Sequence, residues 1–143
     1  MLVRECMSRD IKMCRPDMPI GAAAKLMSEK DVGFLPVGDD DRLHGIITDR
    51  DIAVRAVAHA KDHNTPVSEV MSSEVMYCFE DQEVDEVADN MAAIQVRRMP
   101  VVDRDKRLVG VISLADAVRR QSDAATHALE GVVKPGGLHT QAA

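Results

Sequence analysis

The chain has 143 residues, 45% of them hydrophobic, and a formal net charge of −6. This length suits one ordinary domain that buries a core without help from metals or disulfides. The acidic balance argues against a nucleic-acid partner, because phosphate binding needs clustered lysine and arginine and the densest basic runs here are pairs. No apolar run approaches the roughly 18 residues of a membrane span or resembles a signal peptide, so we expect a cytoplasmic protein with no membrane partner.

The chain contains an internal repeat. A shift of 64 residues aligns residues 6–37 with residues 70–101, with nine identities. A shift of 65 aligns residues 42–55 with residues 107–120, with six more. Fifteen identities in 46 positions compare with about three expected by chance. The two copies are therefore expected to fold alike.

Each copy opens with a short apolar run, residues 10–14 in the first and 74–79 in the second, which predicts a brief strand. An amphipathic helix follows in each copy, because apolar residues recur at the i, i+3, i+4, i+7 spacing. These residues are Ile20, Ala23, Ala24 and Met27 in the first copy, and Val84, Val87, Ala88 and Met91 in the second.

Two further apolar runs, joined by a polar turn, come next in each copy. Residues 33–37 and 97–102 each carry a proline, which suits an edge strand or a strand end. Residues 43–48 and 108–113 are almost continuously apolar, which is the pattern of a strand buried on both faces.

A second helix closes each copy, and its predicted limits are about Asp49 to His59 and about Leu114 to Gln121. The element order predicts an α/β (α+β) fold in which two pseudo-symmetric β-α-β-β-α repeats pack sheet against sheet. One copy alone would be marginal, because it cannot cover both faces of its small sheet. The predicted divisions are a first repeat, a linker closed by a helical turn, a second repeat and a partly flexible C-terminal extension, over residues 1–60, 61–69, 70–122 and 123–143.

One short motif occurs in both copies where the second helix begins. Thr48 and Asp51, three residues apart, match Ser113 and Asp116. A hydroxyl followed by an acid at this spacing is typical of a helix capping box. The duplication, the use of Asp rather than Glu or Gln, and the expected position beside a cleft between the copies favour a ligand role as well. A short carboxylate can accept both hydroxyls of a ribose, and a helix N-terminus favours a phosphate.

The motif also carries a family resemblance. A Met-Ser segment, a Pro-Val strand and a Gly-x-x-Thr/Ser-x-x-Asp ending, ordered and duplicated, resemble a tandem pair of CBS domains, or Bateman module, over residues 5–120. The resemblance implies a regulatory sensor that binds AMP, ADP, ATP or S-adenosylmethionine between the repeats, with no obligatory cofactor. It implies that Asp51 and Asp116 hold ribose hydroxyls and that Thr48 and Ser113 contact phosphate or ribose. It places the adenine among Ile11, Phe34, Leu35, Val75 and Met99.

The two copies are unequal around the motif. The first motif contains Asp-Arg where the second contains Leu-Ala, and Gly-Phe precedes the first Pro-Val strand where Arg-Arg precedes the second. Arg50, Arg97 and Arg98 are candidate phosphate partners through charge-assisted hydrogen bonds, or else solvated surface residues. Unequal ligand affinities are therefore expected at the two sites.

The chain is expected not to be an enzyme, since no histidine lies beside a nucleophile in a recognisable motif. Without an attached catalytic domain it would signal to an unknown effector protein, and the resemblance implies a homodimer formed through helix faces. The alternative is a metal- or redox-responsive stress protein of the same fold. His59 and His63 could share a helix face as metal ligands, or could be two exposed residues near a helix end. The cysteines, which are Cys6, Cys14 and Cys78, are more typical of small buried residues than of a redox centre.

Overall fold

The computed structural model describes residues 1–119 and residue 130. The end of the predicted last helix and, residue 130 apart, the predicted extension 123–143 lie outside the described residues. The chain forms two compact units. We call the one made of Lys12–Val75 the Thr48 unit, and the one made of Met1–Ile11 together with the residues from Met76 onward the Ser113 unit.

The Thr48 unit consists of helix α1 packed on an antiparallel hairpin and followed by a second helical segment. Helix α1 spans Ile20–Lys30, strand β1 spans Phe34–Asp39 and strand β2 spans Arg42–Thr48. The hairpin turn contains Asp40 and Asp41 with φ of 49° and 62°, a left-handed conformation that aspartate tolerates better than most residues. The buried core of this unit consists of Cys14, Ile20, Ala23, Met27, Leu35, Val37, Ile47, Ala56, Val67 and Val70.

The segment after β2 is helical but not a regular α-helix. Asp49–Asp51 forms an α-helical turn, Ile52–Ala56 a π-helix and Val57–His59 a 3₁₀ turn. We call the whole segment α2. It ends at Ala60, whose φ of 60° reverses the chain. The predicted limits of this helix are therefore confirmed, although its geometry is irregular.

The Ser113 unit is built around a three-stranded sheet. In chain order its elements are a 3₁₀ turn Val3–Glu5, β3 Cys78–Phe79, α3 Val84–Ile94, β4 Arg98–Val102, β5 Leu108–Ser113 and α4 Leu114–Arg119. Strand β4 is central, parallel to β3 and antiparallel to β5, and α3 packs against α4. The buried core consists of Val3, Cys6, Cys78, Val84, Val87, Ala88, Met91, Met99, Val101, Ile112, Leu114 and Ala117.

Each Met-Ser segment lies on the last strand of the other sequence repeat. The Ser8 N–H donates to the Val111 carbonyl of β5 at 2.9 Å and the reverse bond measures 3.0 Å. Ser72 pairs in the same way with Ile46 of β2, again at 2.9 and 3.0 Å. The segment that precedes each copy therefore completes the unit formed by the other copy.

The glycine of the duplicated motif makes this approach possible. A β-carbon on Gly45 would lie 2.7 Å from the Ser72 carbonyl oxygen and 2.8 Å from Met71 Sδ. A β-carbon on Gly110 would meet the Met-Ser segment that crosses β5 at 2.7 Å. Contacts this short are not seen for real β-carbons, so the glycine and the Met-Ser segment form one structural element.

The first copy differs from the second at its opening strand. Residues 10–14, all described, form no strand, and only Cys14 makes an isolated parallel bridge to β1. In the second copy the Glu80 N–H donates to the Val102 carbonyl at 2.9 Å and extends the pairing of β3. The equivalent residue in the first copy is Pro16, which has no N–H to donate. The predicted brief strand is therefore wrong in the first copy and confirmed, over two residues, in the second.

Two burial predictions also differ from the structure. Ala24 is exposed, so α1 buries a narrower stripe than α3, which lies in the unit with three strands rather than two. Along β2 only Gly45 and Ile47 are buried, while Arg42 and His44 are exposed. Strand β2 therefore has one covered face instead of two, whereas β5 is buried at four of its six positions. The predicted mixed helix-and-strand class is confirmed.

Candidate functional site

The duplicated hydroxyl–aspartate pairs form helix capping boxes. The Asp51 N–H donates to Thr48 Oγ1 at 3.0 Å, and the Thr48 N–H donates to Asp51 Oδ2 at 3.0 Å. Ser113 and Asp116 repeat the arrangement at 3.0 and 3.3 Å. The capping interpretation is therefore confirmed, and these bonds fix the four half-buried side chains at the start of α2 and α4.

In each capping box the N–H of the hydroxyl residue donates to the Oδ2 oxygen of the aspartate. The Oδ1 oxygen of Asp51 lies 3.8 Å from Arg55 Nε, and the Asp51 side chain is 17% exposed. Because an ionised carboxylate has about four acceptor positions, Asp51 can accept a hydrogen bond from a ligand while the cap is kept. The capping role and a ligand role are thus compatible.

Arg55 links this carboxylate to the Met-Ser segment that crosses β2. Its Nη1 atom donates to the Val70 carbonyl at 3.4 Å and to the Met71 carbonyl at 3.3 Å. Arg55 was not among the residues predicted to form the site. The signal for it was the identity of residues 55 and 120 in the repeat, and residue 120 lies outside the described residues.

The strand register places one variable residue beside each hydroxyl. Phe34 of β1 is directly opposite Thr48 of β2, and Arg98 of β4 is directly opposite Ser113 of β5. Opposed residues of an antiparallel pair have β-carbons about 4.5–5.5 Å apart. The hydroxyl of one unit therefore adjoins a phenyl ring, and that of the other unit adjoins a guanidinium.

The residues predicted to hold adenine fall into two groups. Leu35 and Met99 face the opposite side of their strands from Phe34 and Arg98 and belong to the buried cores. Three others, which are Ile11, Phe34 and Val75, are buried or half-buried and belong to neither core. These three are better placed to contact a ligand.

Each unit holds one set of the predicted site residues. The Thr48 set is Phe34, Leu35, Thr48, Arg50, Asp51 and Val75. The Ser113 set is Ile11, Arg97, Arg98, Met99, Ser113 and Asp116. Val75 and Ile11 come from the segments that precede the opposite copy, so each set combines residues of both sequence repeats.

The candidate phosphate-binding arginines differ in environment. Arg50 and Arg97 are exposed, whereas Arg98 is half-buried. The Arg98 Nε atom is buried and has no hydrogen-bond partner among the described residues. An unsatisfied buried donor costs about 1–3 kcal/mol, and more when it is charged. Arg98 is therefore the arginine best suited to gain an anionic acceptor.

Asp49 also lies in this region, although it was not among the predicted site residues. A β-carbon on Gly33 would lie 3.0 Å from Asp49 Oδ2, and Asp49 Oδ1 accepts a hydrogen bond from the Arg50 N–H at 2.8 Å. The residue equivalent to Gly33 is Arg97, and the residue equivalent to Asp49 is Leu114. A carboxylate in one unit therefore lies where the other unit has an arginine, and the paired Gly/Arg and Asp/Leu differences were the signal for it.

The cysteine thiols are buried in both units. Burial raises the pKa of Cys14 to about 11 and that of Cys78 to about 12, with Cys6 contributing to the second shift. Thiols that stay protonated at neutral pH are poor nucleophiles and poor metal ligands. The interpretation of the cysteines as small buried residues is confirmed.

The two candidate metal-binding histidines do not share a helix face. Helix α2 ends at His59, and His63 lies in a turn where its carbonyl accepts a hydrogen bond from the Gly21 N–H at 2.9 Å. The interpretation of His59 and His63 as two exposed residues near a helix end is confirmed, because the left-handed Ala60 ends the helix between them. Across residues 1–119 and residue 130, no three His, Cys, Asp or Glu side chains gather as a metal site.

Membrane insertion can be judged from the helices over the same part of the chain. None of the described helices has both the length and the apolar character to cross a bilayer.

The paired units and the duplicated motif define a class of protein. Residues 3–57 and residues 67–123 each match the family model of the CBS domain. The chain belongs to the CBS-domain family and carries two CBS domains in tandem, with the α+β fold of that family.

Similar proteins are found among curated sequences and solved structures. The CBS domain-containing protein YhcV of Bacillus subtilis is 39% identical over 85% of this chain and 86% of its own length. Hypoxic response protein 1 of Mycobacterium tuberculosis is 37% identical over 92% and 90%. The crystal structure of hypoxic response protein I with two coordinated zinc ions is 37% identical, with a TM-score of 0.75 over 84% of this chain and 98% of that one. The CBS domain pair of protein MJ0100, in complex with 5′-methylthioadenosine and S-adenosyl-L-methionine, is 32% identical, with a TM-score of 0.72 over 85% and 95%.

Proposed function

We propose that this protein is a non-catalytic regulatory module that binds adenosine-containing ligands and signals to a partner protein. The observation that carries the proposal is the duplicated capping box, which fixes a carboxylate at the start of a helix in each unit, beside a strand position that differs between the units. The CBS pair of MJ0100, which has two adenosine compounds bound, supports the same ligand class for this chain.

In this proposal Asp51 and Asp116 accept the ribose hydroxyls, since a short carboxylate can receive two parallel donors. Thr48 and Ser113 contact the ribose or its 5′ substituent through their hydroxyls. The adenine lies against the apolar residues outside the two cores, which are Ile11, Phe34 and Val75.

Arg55 provides a route from ligand to signal. A ribose that occupies Asp51 competes with the 3.8 Å contact to Arg55, which also holds the Val70 and Met71 carbonyls at 3.4 and 3.3 Å. Binding at the carboxylate is thereby coupled to the Met-Ser segment. A ligand shifts the signalling state only to the extent that it binds one arrangement of this segment more tightly than the other.

The partner side of the proposal includes a homodimer and an effector protein. Val54 and Val57 on α2 are 45% and 67% exposed, which supports α2 as a surface for self-association. Light scattering coupled to size-exclusion chromatography tests this part. A dimer that becomes monomeric in Val57→Glu supports it, and a monomeric wild type contradicts it.

A thermal-shift panel with AMP, ADP, ATP and S-adenosylmethionine tests the ligand class. The variants are Asp51→Asn and Asp116→Asn, because asparagine keeps an acceptor for the cap while it removes the charge. A saturating ligand at 100 times Kd should stabilise the wild type by about 2.7 kcal/mol. Each variant should lose the response of its own site.

The matched control for these variants is Asp89→Asn, which removes one exposed carboxylate from α3 outside the motif. It should respond to ligands as the wild type does. The proposal fails when no adenosine compound raises the melting temperature, or when both motif variants respond like the control.

A metal-responsive protein of the same fold is the second candidate. The observation that favours it is the pair of coordinated zinc ions in the similar hypoxic response protein. His59 and His63 would then bind from separate segments rather than from one helix face. Elemental analysis after purification without chelators decides between the candidates, since stoichiometric zinc supports this one and less than about 0.1 zinc per chain contradicts it.

A further inference from the structure

The two sets of site residues differ in charge at the positions that surround the shared hydroxyl and aspartate. Phe34 is opposite Thr48, where Arg98 is opposite Ser113. Next to these positions in the sequence, the first unit has Gly33 and Asp49, where the second unit has Arg97 and Leu114. These differences change charge or polarity in one direction, from acidic and apolar in the Thr48 set to basic and apolar in the Ser113 set. Arg50 of the Thr48 set, whose equivalent is Ala115, is a difference in the opposite direction.

The Thr48 set disfavours an additional negative charge. Phe34, 8% exposed, presents an apolar ring beside the hydroxyl. The Asp49 carboxylate lies over Gly33, within 3.0 Å of where a β-carbon would be. Arg50 is the one cation in this motif, and the adjacent carboxylate of Asp49 balances its charge. A phosphate in this set would be brought next to Asp49 and Asp51 with no surplus of positive charge.

The Ser113 set favours an additional negative charge. Arg98 is beside the hydroxyl, and its buried Nε donor has no acceptor among the described residues. Arg97 adds a second guanidinium, and its carbonyl accepts the Leu114 N–H at 3.0 Å, which ties it to the start of the motif helix. Leu114 is 2% exposed, so the position that carries a carboxylate in the other unit is apolar here. A phosphate oxygen would supply the acceptor that Arg98 lacks.

We propose that the two sites select different 5′ substituents on adenosine. The Ser113 site takes a phosphorylated adenosine, and the Thr48 site takes an adenosine whose 5′ substituent carries no negative charge, such as a thioether. This inference rests on the proposed function, because it requires that adenosine compounds bind at all. On this inference the protein binds two chemically distinct ligands, one at each site, rather than the same ligand at both sites.

Isothermal titration calorimetry with AMP and 5′-methylthioadenosine tests the inference, since these compounds share adenosine and differ in the 5′ substituent. Asp51→Asn, which retains the Ser113 site, should bind AMP about tenfold or more tightly than 5′-methylthioadenosine, the ratio expected from one charge-assisted hydrogen bond. Asp116→Asn, which retains the Thr48 site, should show the reverse preference.

Reciprocal substitutions at the strand position identify the cause. In the Asp51→Asn background, Arg98→Gln should weaken AMP binding about tenfold and change 5′-methylthioadenosine binding by less than about twofold, while Arg98→Lys should retain most of the AMP affinity. In the Asp116→Asn background, Phe34→Arg should increase the affinity for AMP. Melting curves of the variants without ligand verify that each one is folded.

The outcomes separate this inference from the proposed function. Opposite preferences in the two single-site variants, removed by Arg98→Gln, support it. The same preference at both sites, or an AMP affinity unaffected by Arg98→Gln, overturns the inference and leaves the proposed function standing. If the wild type binds neither compound, the inference is overturned, and the proposed function is overturned as well when the thermal-shift panel with ADP, ATP and S-adenosylmethionine is also negative.

Discussion

Replacing Gly45 by alanine should destabilise the Thr48 unit by about 1–5 kcal/mol. The added β-carbon would lie 2.7 Å from the Ser72 carbonyl oxygen and 2.8 Å from Met71 Sδ. The thioether can rotate away, but the carbonyl can move only with its segment, whose two hydrogen bonds to Ile46 measure 2.9 and 3.0 Å. Overpacking costs about 1–3 kcal/mol, and each of the two weakened hydrogen bonds costs about 0.5–1.5 kcal/mol. Alanine offsets about 0.5–1 kcal/mol of this loss, because glycine in a strand loses more conformational entropy on folding.

Urea unfolding followed by circular dichroism measures this loss. Gly33→Ala is the matched control, because it is the same substitution in the same unit but its β-carbon would meet only the exposed Asp49 side chain, at 3.0 Å. That carboxylate can turn aside, so the control should change the free energy of unfolding by less than about 0.5 kcal/mol. Equal losses in the two variants, or an undiminished stability of Gly45→Ala, would refute the role assigned to the close backbone approach.

The other predictions concern thiols, pH and a helix end. In the native protein at neutral pH, a thiol reagent should react with Cys14 and Cys78 only as fast as the units open, because burial raises their pKa to about 11 and about 12; fast labelling without unfolding would contradict this. The Arg104 guanidinium, 2.7 and 2.8 Å from the Asp81 oxygens, lowers the pKa of that carboxyl from 3.8. The stabilisation from this ion pair is therefore present above the ordinary carboxyl pKa of 3.8 and is lost as the pH falls through the lowered pKa. Asp81→Asn should accordingly be less stable than wild type at neutral pH, and this difference should shrink as the pH of the urea titrations falls below 3.8. Ala60→Gly should increase the free energy of unfolding by about 0.5–1 kcal/mol and raise the melting temperature, because Ala60 has a φ of 60°, which glycine adopts without strain. A lower melting temperature would show that this conformation is not strained.

The sequence repeat predicted the local structure well because the patterns that define a helix or a strand are local. The apolar spacing from Val84 to Met91 matched a helix whose predicted face is buried. The capping box at Thr48 and Asp51 formed as its spacing indicates. The opening strand of the first copy departed from the prediction because one residue changed a backbone property: Pro16 has no N–H with which to extend the strand pairing.

The candidate site was predicted only in part. The hydroxyl–aspartate pairs followed from their spacing, but the neighbour of each hydroxyl depends on strand register, which brings Phe34 to Thr48 and Arg98 to Ser113. Pairings between distant segments, such as Ser8 with residue 111, leave no periodic signal in the sequence. The sequence feature that accompanies these pairings is the glycine three residues before each hydroxyl. Its repetition identified it as part of the motif but did not show which residues it contacts.

The exchange of Met-Ser segments between the copies sets an order of assembly during synthesis. The Thr48 unit is one continuous stretch, Lys12–Val75, so all its parts are present once residue 75 has left the ribosome. The Ser113 unit needs Met1–Ile11, which precedes the whole Thr48 unit, to pair with a strand made about 100 residues later. At about 5–20 residues per second, that segment is made about 5–20 s before β5. The Ser113 unit is therefore completed after the Thr48 unit.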